Sequence, residues 1–97
     1  MKLETFLFQL LQEEAAEVIQ SASKINRFGL DHVFETKKSL KEEFIIELND
    51  FYTILNQLAD NGVLSHEEIQ PNEELMKIKS KKVLKYARLS QYLEKLD

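Results

Sequence analysis

Two pairs of acidic residues, each pair three residues apart, have the spacing of a chemical site. Glu14 and Glu17 lie in a segment with helical periodicity, and Glu47 and Asp50 lie in the next such segment. At about 100° per residue, Glu14 projects near the middle of the apolar stripe of its helix, and Glu17 lies on the same side. An ionised carboxylate in that position is costly unless it is paired or binds a metal.

The second helix repeats the arrangement. Asp50 is flanked by Ile46 and Ile54, one turn before and one turn after it. Apolar residues surround this helix almost completely, which predicts a central, buried helix whose acidic strip is partly enclosed.

Two such pairs can converge on one point if the helices lie antiparallel, which the long loop between them allows. Four carboxylates without sulfur favour a hard cation with oxygen ligands, best Mg²⁺, with Mn²⁺ as a second possibility. The alternatives are a solvated acidic face, or ion pairs with Lys24, Arg27 or the lysines near the C-terminus. A di-iron bundle needs Glu-x-x-His, and neither His32 nor His66 has a glutamate three residues before it.

Three main helices account for the periodic segments. The first covers about residues 3–25 and stops by Gly29; the second starts near Ser39, where Ser39 and Glu42 form a capping-box pattern, and ends at Asn61-Gly62. The third follows Asn72, a good N-cap. Between the first two, residues 30–38 have no clear period and are predicted to be a loop.

The composition fits one all-α domain over residues 1–97. Two glycines and one proline are too few for the turns of a sandwich or barrel, and no apolar run approaches a membrane span. The absence of cysteine and of a secretory signal favours a cytoplasmic protein. The net charge of −4 disfavours nucleic-acid binding.

The charge is unevenly distributed. The first half is acidic in patches, whereas residues 77–85 contain five lysines. So short a chain buries little of its apolar surface, so we expect a homodimer or homotetramer whose subunits complete the helical bundle.

The acidic motifs resemble a known signature. Glu13-Glu14-Ala15-Ala16-Glu17, followed after 29 residues by Glu47-Leu48-Asn49-Asp50, resembles the EExxE…ExxD signature of the MazG-like nucleotide pyrophosphohydrolases, especially their short phage and bacterial members. The lysine run 79–86 is similar to their C-terminal helix. Many members have glycine just before the final aspartate, where this chain has Asn49. The gap between the two motifs is also slightly long for the family.

The resemblance implies a MazG-like helical bundle that hydrolyses a nucleoside triphosphate to the monophosphate and pyrophosphate, in a house-cleaning role. By position it implies Glu14, Glu17, Glu47 and Asp50 as Mg²⁺ ligands. Glu13 belongs to the motif, and we expect it to bind through water, to orient the attacking water or to hold a neighbouring helix. For the substrate we expect contacts from Gln20, Lys24, Arg27, Lys79 and Lys82.

Two alternatives stay open. A phosphoribosyl-ATP pyrophosphohydrolase shares the superfamily and the acidic motifs. A non-catalytic helical oligomerisation module would instead pair its acids with lysines.

Overall fold

The computed structural model describes residues 1–93, and these form three α-helices with no strand among them. Helix α1 is Leu3–Phe28, α2 is Leu40–Asp60 and α3 is Glu73–Tyr92. The predicted all-α class with three main helices is confirmed. The predicted domain of 1–97 includes residues 94–97, which lie outside the described residues. No described helix is long and apolar enough to cross a membrane.

The ends of α1 and α2 follow the local chemistry of the sequence. Gly29 terminates α1 with φ +91°, a conformation that a residue with a side chain rarely adopts. At the start of α2, the Ser39 hydroxyl accepts a hydrogen bond from the Glu42 backbone N–H, and the Glu42 carboxylate accepts one from the Ser39 N–H. This capping box fixes where α2 begins and therefore the register of its acidic residues.

The loop between α1 and α2 is held in place by aromatic packing and backbone pairing. The rings of Phe28, His32 and Phe34 form one cluster, with the centroids of His32 and Phe34 4.3 Å apart. The Leu40 N–H donates to the His32 carbonyl at 2.9 Å, so the loop also satisfies a free donor at the start of α2. The loop therefore has a defined course beside the two helices.

Helices α1 and α2 pack against each other as an antiparallel hairpin, and its core is small. Leu7, Leu40, Leu58 and Ala59 are its buried hydrophobic residues. The prediction that α2 is buried almost all round is not met within one protomer, because a hairpin covers only one side of each helix. Ile45 and Tyr52, for example, remain 47% and 54% exposed.

Helix α3 contacts neither α1 nor α2 within the described residues. Its start is defined by Asn72, whose side chain accepts a hydrogen bond from the Leu75 N–H, as predicted for an N-cap. The radius of gyration is 17.0 Å, whereas a compact domain of this length has about 13 Å. The protomer is thus a helical hairpin with a projecting third helix.

We predict that Ser39→Ala lowers the free energy of unfolding by about 1 kcal/mol, because one capping hydrogen bond of α2 is lost. Denaturant unfolding at one fixed protein concentration measures this. Ser65→Ala is the matched control: Ser65 forms the same reciprocal bonds with Glu68, but only over a single turn. The control should change stability by less than about 0.5 kcal/mol. Equal losses in both variants would contradict the role of Ser39 in holding α2.

Candidate metal centre

Three of the four predicted ligands lie together between α1 and α2. Glu14, Glu47 and Asp50 each offer a carboxylate oxygen, and these three oxygens lie within 4.8 Å of one another. Glu14 and Glu47 are half-buried and Asp50 is exposed, so the cluster opens at one edge to solvent. The antiparallel packing of the two helices creates this convergence, because residues far apart in sequence meet at the same height of the hairpin.

Among the described residues, the cluster has no cation at ion-pair distance to balance its negative charge. Burial raises the pKa of Glu47, and the charges of Asp50, Glu17, Glu14 and Glu43 raise it further. Within residues 1–93, no lysine, arginine or histidine nitrogen lies within 4.0 Å of these carboxylates. The alternative in which Lys24 or Arg27 forms ion pairs with them is therefore not found in the protomer.

The three carboxylates of the cluster could hold one divalent cation. Two oxygens bound to one ion are separated by at most twice the metal–oxygen distance, which is about 4.2 Å for Mg²⁺ and about 5 Å for Ca²⁺. The three carboxylate oxygens lie within 4.8 Å of one another, a bound that falls within the span of a Ca²⁺ site and above that of a Mg²⁺ site. Three carboxylates leave further positions free for water or for a substrate oxygen.

Glu17 and Glu13 lie outside this group of three. Glu17 is exposed and lines a groove that also contains Glu47, and its charge contributes to the raised pKa of Glu47. Glu13 is exposed and does not belong to the cluster. The assignment of Glu17 as a ligand and the several roles considered for Glu13 stay predictions.

The groove beside the cluster has a volume of about 350 Å³. It contains two of the predicted substrate contacts, Gln20 and Lys24. Arg27 lies further along α1, where its guanidinium is 5.4 Å from the centre of the Phe28 ring. Lys79 and Lys82 lie on α3, so one protomer does not bring them to the groove.

The loop adds groove residues that sequence reasoning missed. Thr36 and Lys38 line the groove, and the Thr36 hydroxyl donates a 2.6 Å hydrogen bond to the Glu43 carboxylate. The only signal was the pair Lys37-Lys38 within the non-periodic segment, and it could not place the loop. Within the described part of the chain, Lys38 and Lys24 are the two cationic side chains that line the groove.

Comparison of the chain with protein-family models, curated proteins and solved structures finds no match. The geometry of the acidic cluster and of its groove therefore provides the functional argument.

We predict that Mg²⁺ stabilises the folded protein through this cluster. A concentration ten times the dissociation constant contributes about 1.4 kcal/mol, which raises Tm by roughly 5–10 °C for a domain of this size. Thermal unfolding with Mg²⁺ and with a chelator measures the difference. An unchanged Tm at all Mg²⁺ concentrations up to tens of millimolar would contradict the assignment.

Replacement of Glu47 should change Tm in the chelator and the stabilisation by Mg²⁺ in opposite directions. Glu47→Gln removes one of several repelling charges, so at neutral pH Tm in the chelator should rise, while the stabilisation by Mg²⁺ should largely disappear. Glu13→Gln makes the same charge change outside the cluster and should leave the stabilisation by Mg²⁺ intact. Loss of the metal response in both variants would show that the three clustered carboxylates are not the specific ligands.

Proposed function

We propose that the protein is a Mg²⁺-dependent nucleoside triphosphate pyrophosphohydrolase that converts a (d)NTP and water to the (d)NMP and pyrophosphate. The observation that carries this proposal is the uncompensated group of Glu14, Glu47 and Asp50 beside an open groove. The acidic motifs add the resemblance to MazG-like enzymes. A house-cleaning role and a cytoplasmic location follow as predictions from the same resemblance and from the composition.

The cluster would hold the cation and the groove would hold the phosphates. A divalent cation bound by the three carboxylates supplies positive charge at the phosphate oxygens of the substrate and acidifies nearby water. Three carboxylates and two lysines line the groove itself, so it is net negative: Glu17, Glu43, Glu47, Lys24 and Lys38. A polyphosphate therefore enters favourably only together with cations.

The remaining groove residues have separate roles. Glu17 lines the groove without belonging to the group of three, and in this proposal its carboxylate would accept a proton from the attacking water. Lys24 and Lys38 bind phosphate oxygens as point charges, and Gln20 supplies an amide for a polar contact. The hydrogen bond from Thr36 orients Glu43 at the side of the groove, one helical turn from Glu47. Catalysis in this arrangement is mainly positioning and charge stabilisation, as in phosphoryl transfer generally.

A non-catalytic oligomerisation module is the second candidate, and a specific observation favours it. Many large apolar side chains are exposed in the protomer, among them Ile19 at 69% and Leu75 at 65%. Such surfaces mark interaction sites. The module would show no response to Mg²⁺ and would release no pyrophosphate.

We predict that a panel of (d)NTPs with Mg²⁺ yields pyrophosphate rather than inorganic phosphate. Pyrophosphate and inorganic phosphate are detected separately. Including phosphoribosyl-ATP in the panel distinguishes the proposed activity from that of a phosphoribosyl-ATP pyrophosphohydrolase. If neither product is released from any substrate, the non-catalytic oligomerisation module is the better description of the protein.

Asp50→Asn should reduce turnover by at least about 100-fold while the fold survives, because one cation ligand is weakened at an exposed position. Circular dichroism checks the fold. Asp60→Asn, at the far end of the same helix, is the matched control and should retain activity. Full activity of Asp50→Asn would contradict the metal assignment.

A further inference from the structure

The lysines and arginines of the helical hairpin all lie on one side of the acidic cluster. Between residues 3 and 60 they are Lys24, Arg27, Lys37, Lys38 and Lys41. They fall on the stretch of chain that runs from the cluster into the loop and back. The other half of the hairpin, residues 3–16 of α1 and 50–60 of α2, contains no lysine or arginine. A ligand with one charged end and one uncharged end is therefore favoured with its charged end toward the loop.

Two of these lysines line the groove from different elements. Lys24 belongs to α1 and Lys38 to the loop, and the groove that they line also contains Glu47 of the cluster. Ser21 lines the same groove and is only 8% exposed, so its hydroxyl lies in a largely enclosed position. Ammonium and hydroxyl groups are donors that suit the oxygens of a phosphate group.

The loop backbone has an unusual conformation immediately before Lys38. Lys37 has φ +64°, in the left-handed region that a residue with a side chain rarely adopts. Such a conformation persists only where its surroundings enforce it. The Lys38 N–H donates to the Thr36 hydroxyl at 3.4 Å, and this hydroxyl donates to the Glu43 carboxylate at 2.6 Å. Thr36 therefore ties the turn that precedes Lys38 to helix α2.

We propose that the loop end of the groove is the subsite for the β- and γ-phosphates of the substrate, and hence for the pyrophosphate product. Lys38 and Lys24 are its cationic contacts, and Thr36 is a positioning residue that acts through Lys38. The nucleoside then extends from the acidic cluster in the opposite direction, toward the half of the hairpin without cations. The inference rests on the proposed function for the identity of the nucleotide, whereas binding of pyrophosphate is tested without turnover.

This subsite has two consequences for specificity. A nucleoside diphosphate carries a single phosphate beyond the bond that is broken, so it makes fewer contacts with the lysines, and a triphosphate should be preferred. Free pyrophosphate should compete with the triphosphate. Because three carboxylates also line the groove, Glu17, Glu43 and Glu47, pyrophosphate should bind there only together with Mg²⁺.

The first test compares two adjacent lysines of the loop, with inorganic pyrophosphate and Mg²⁺ as the probe. Lys38→Met should raise the dissociation constant of pyrophosphate by about tenfold or more, because a charged contact is lost. Lys37→Met removes the same charge from a residue outside the groove lining and should change it by less than about threefold. Isothermal titration calorimetry measures both. Equal effects of the two variants, or no binding to the wild-type protein at millimolar pyrophosphate, would overturn the proposal.

The second test uses dAMP, which carries the nucleoside and one phosphate but lacks the two phosphates assigned to the subsite. Lys38→Met should leave the dissociation constant of dAMP unchanged while it weakens the binding of pyrophosphate. In steady-state kinetics the same variant should lose its preference for a triphosphate over a diphosphate. Equal weakening of dAMP and pyrophosphate would overturn the proposed orientation.

The positioning role of Thr36 has its own test. Thr36→Val keeps the shape of the side chain but removes both hydrogen bonds of the hydroxyl, so pyrophosphate should bind more weakly and dAMP should bind as before. Thr36→Ser keeps the hydroxyl and should retain the affinity of the wild-type protein. If Thr36→Ser is as weak as Thr36→Val, or if Thr36→Val binds normally, the positioning role is wrong.

Failure of this inference and failure of the proposed function give different results. If nucleotides are hydrolysed and Lys38→Met behaves like Lys37→Met, the function stands and the subsite is wrong. If pyrophosphate binds as expected and no nucleotide is hydrolysed, the proposed function fails, and the loop end of the groove is a binding site for a diphosphate group.

Discussion

Like charges held together between α1 and α2 are the feature on which the site depends. Burial and four neighbouring carboxylates raise the pKa of Glu47, which means that the folded chain resists its ionisation. Helix packing enforces this proximity, since Glu14 belongs to the face of α1 that meets α2. A cation relieves the repulsion, so folding and ion binding favour each other at this position.

The hairpin that holds these carboxylates together has only a small hydrophobic core. Its core consists of a few buried side chains, and residues such as Ile45 and Tyr52 are left exposed. A two-helix unit of this kind has too little buried apolar area to offset the ordering of long helices. The capping box at Ser39 and the aromatic cluster around His32 define the ends of the elements, but they do not add to the core. This small core is the reason that we expect the chain to associate with further helices.

The sequence predicted the local features well because each depends on neighbouring residues. Periodicity, the Ser39–Glu42 box, Gly29 and Asn72 predicted three helices and their starts and stops to within a few residues. The convergence of Glu14 with Glu47 and Asp50 was also predictable, because the spacing of three places each pair on one face and a hairpin brings the faces together. The position of Glu17 beside the group rather than in it depends on the exact rotation of α1, which spacing alone does not determine.

Two further features depended on tertiary structure and could not be predicted. Lys38 reaches the groove only because aromatic packing and the pairing of the loop with α2 determine the course of a segment without periodicity. The burial expected for α2 was not found because the apolar residues lie nearly all round the helix, whereas a hairpin covers only one side of it. An apolar face that is exposed in one protomer is thus consistent with the same pattern. The apolar positions on α2 and the exposed apolar residues of α3 both favour the expected association of several copies, which stays a prediction.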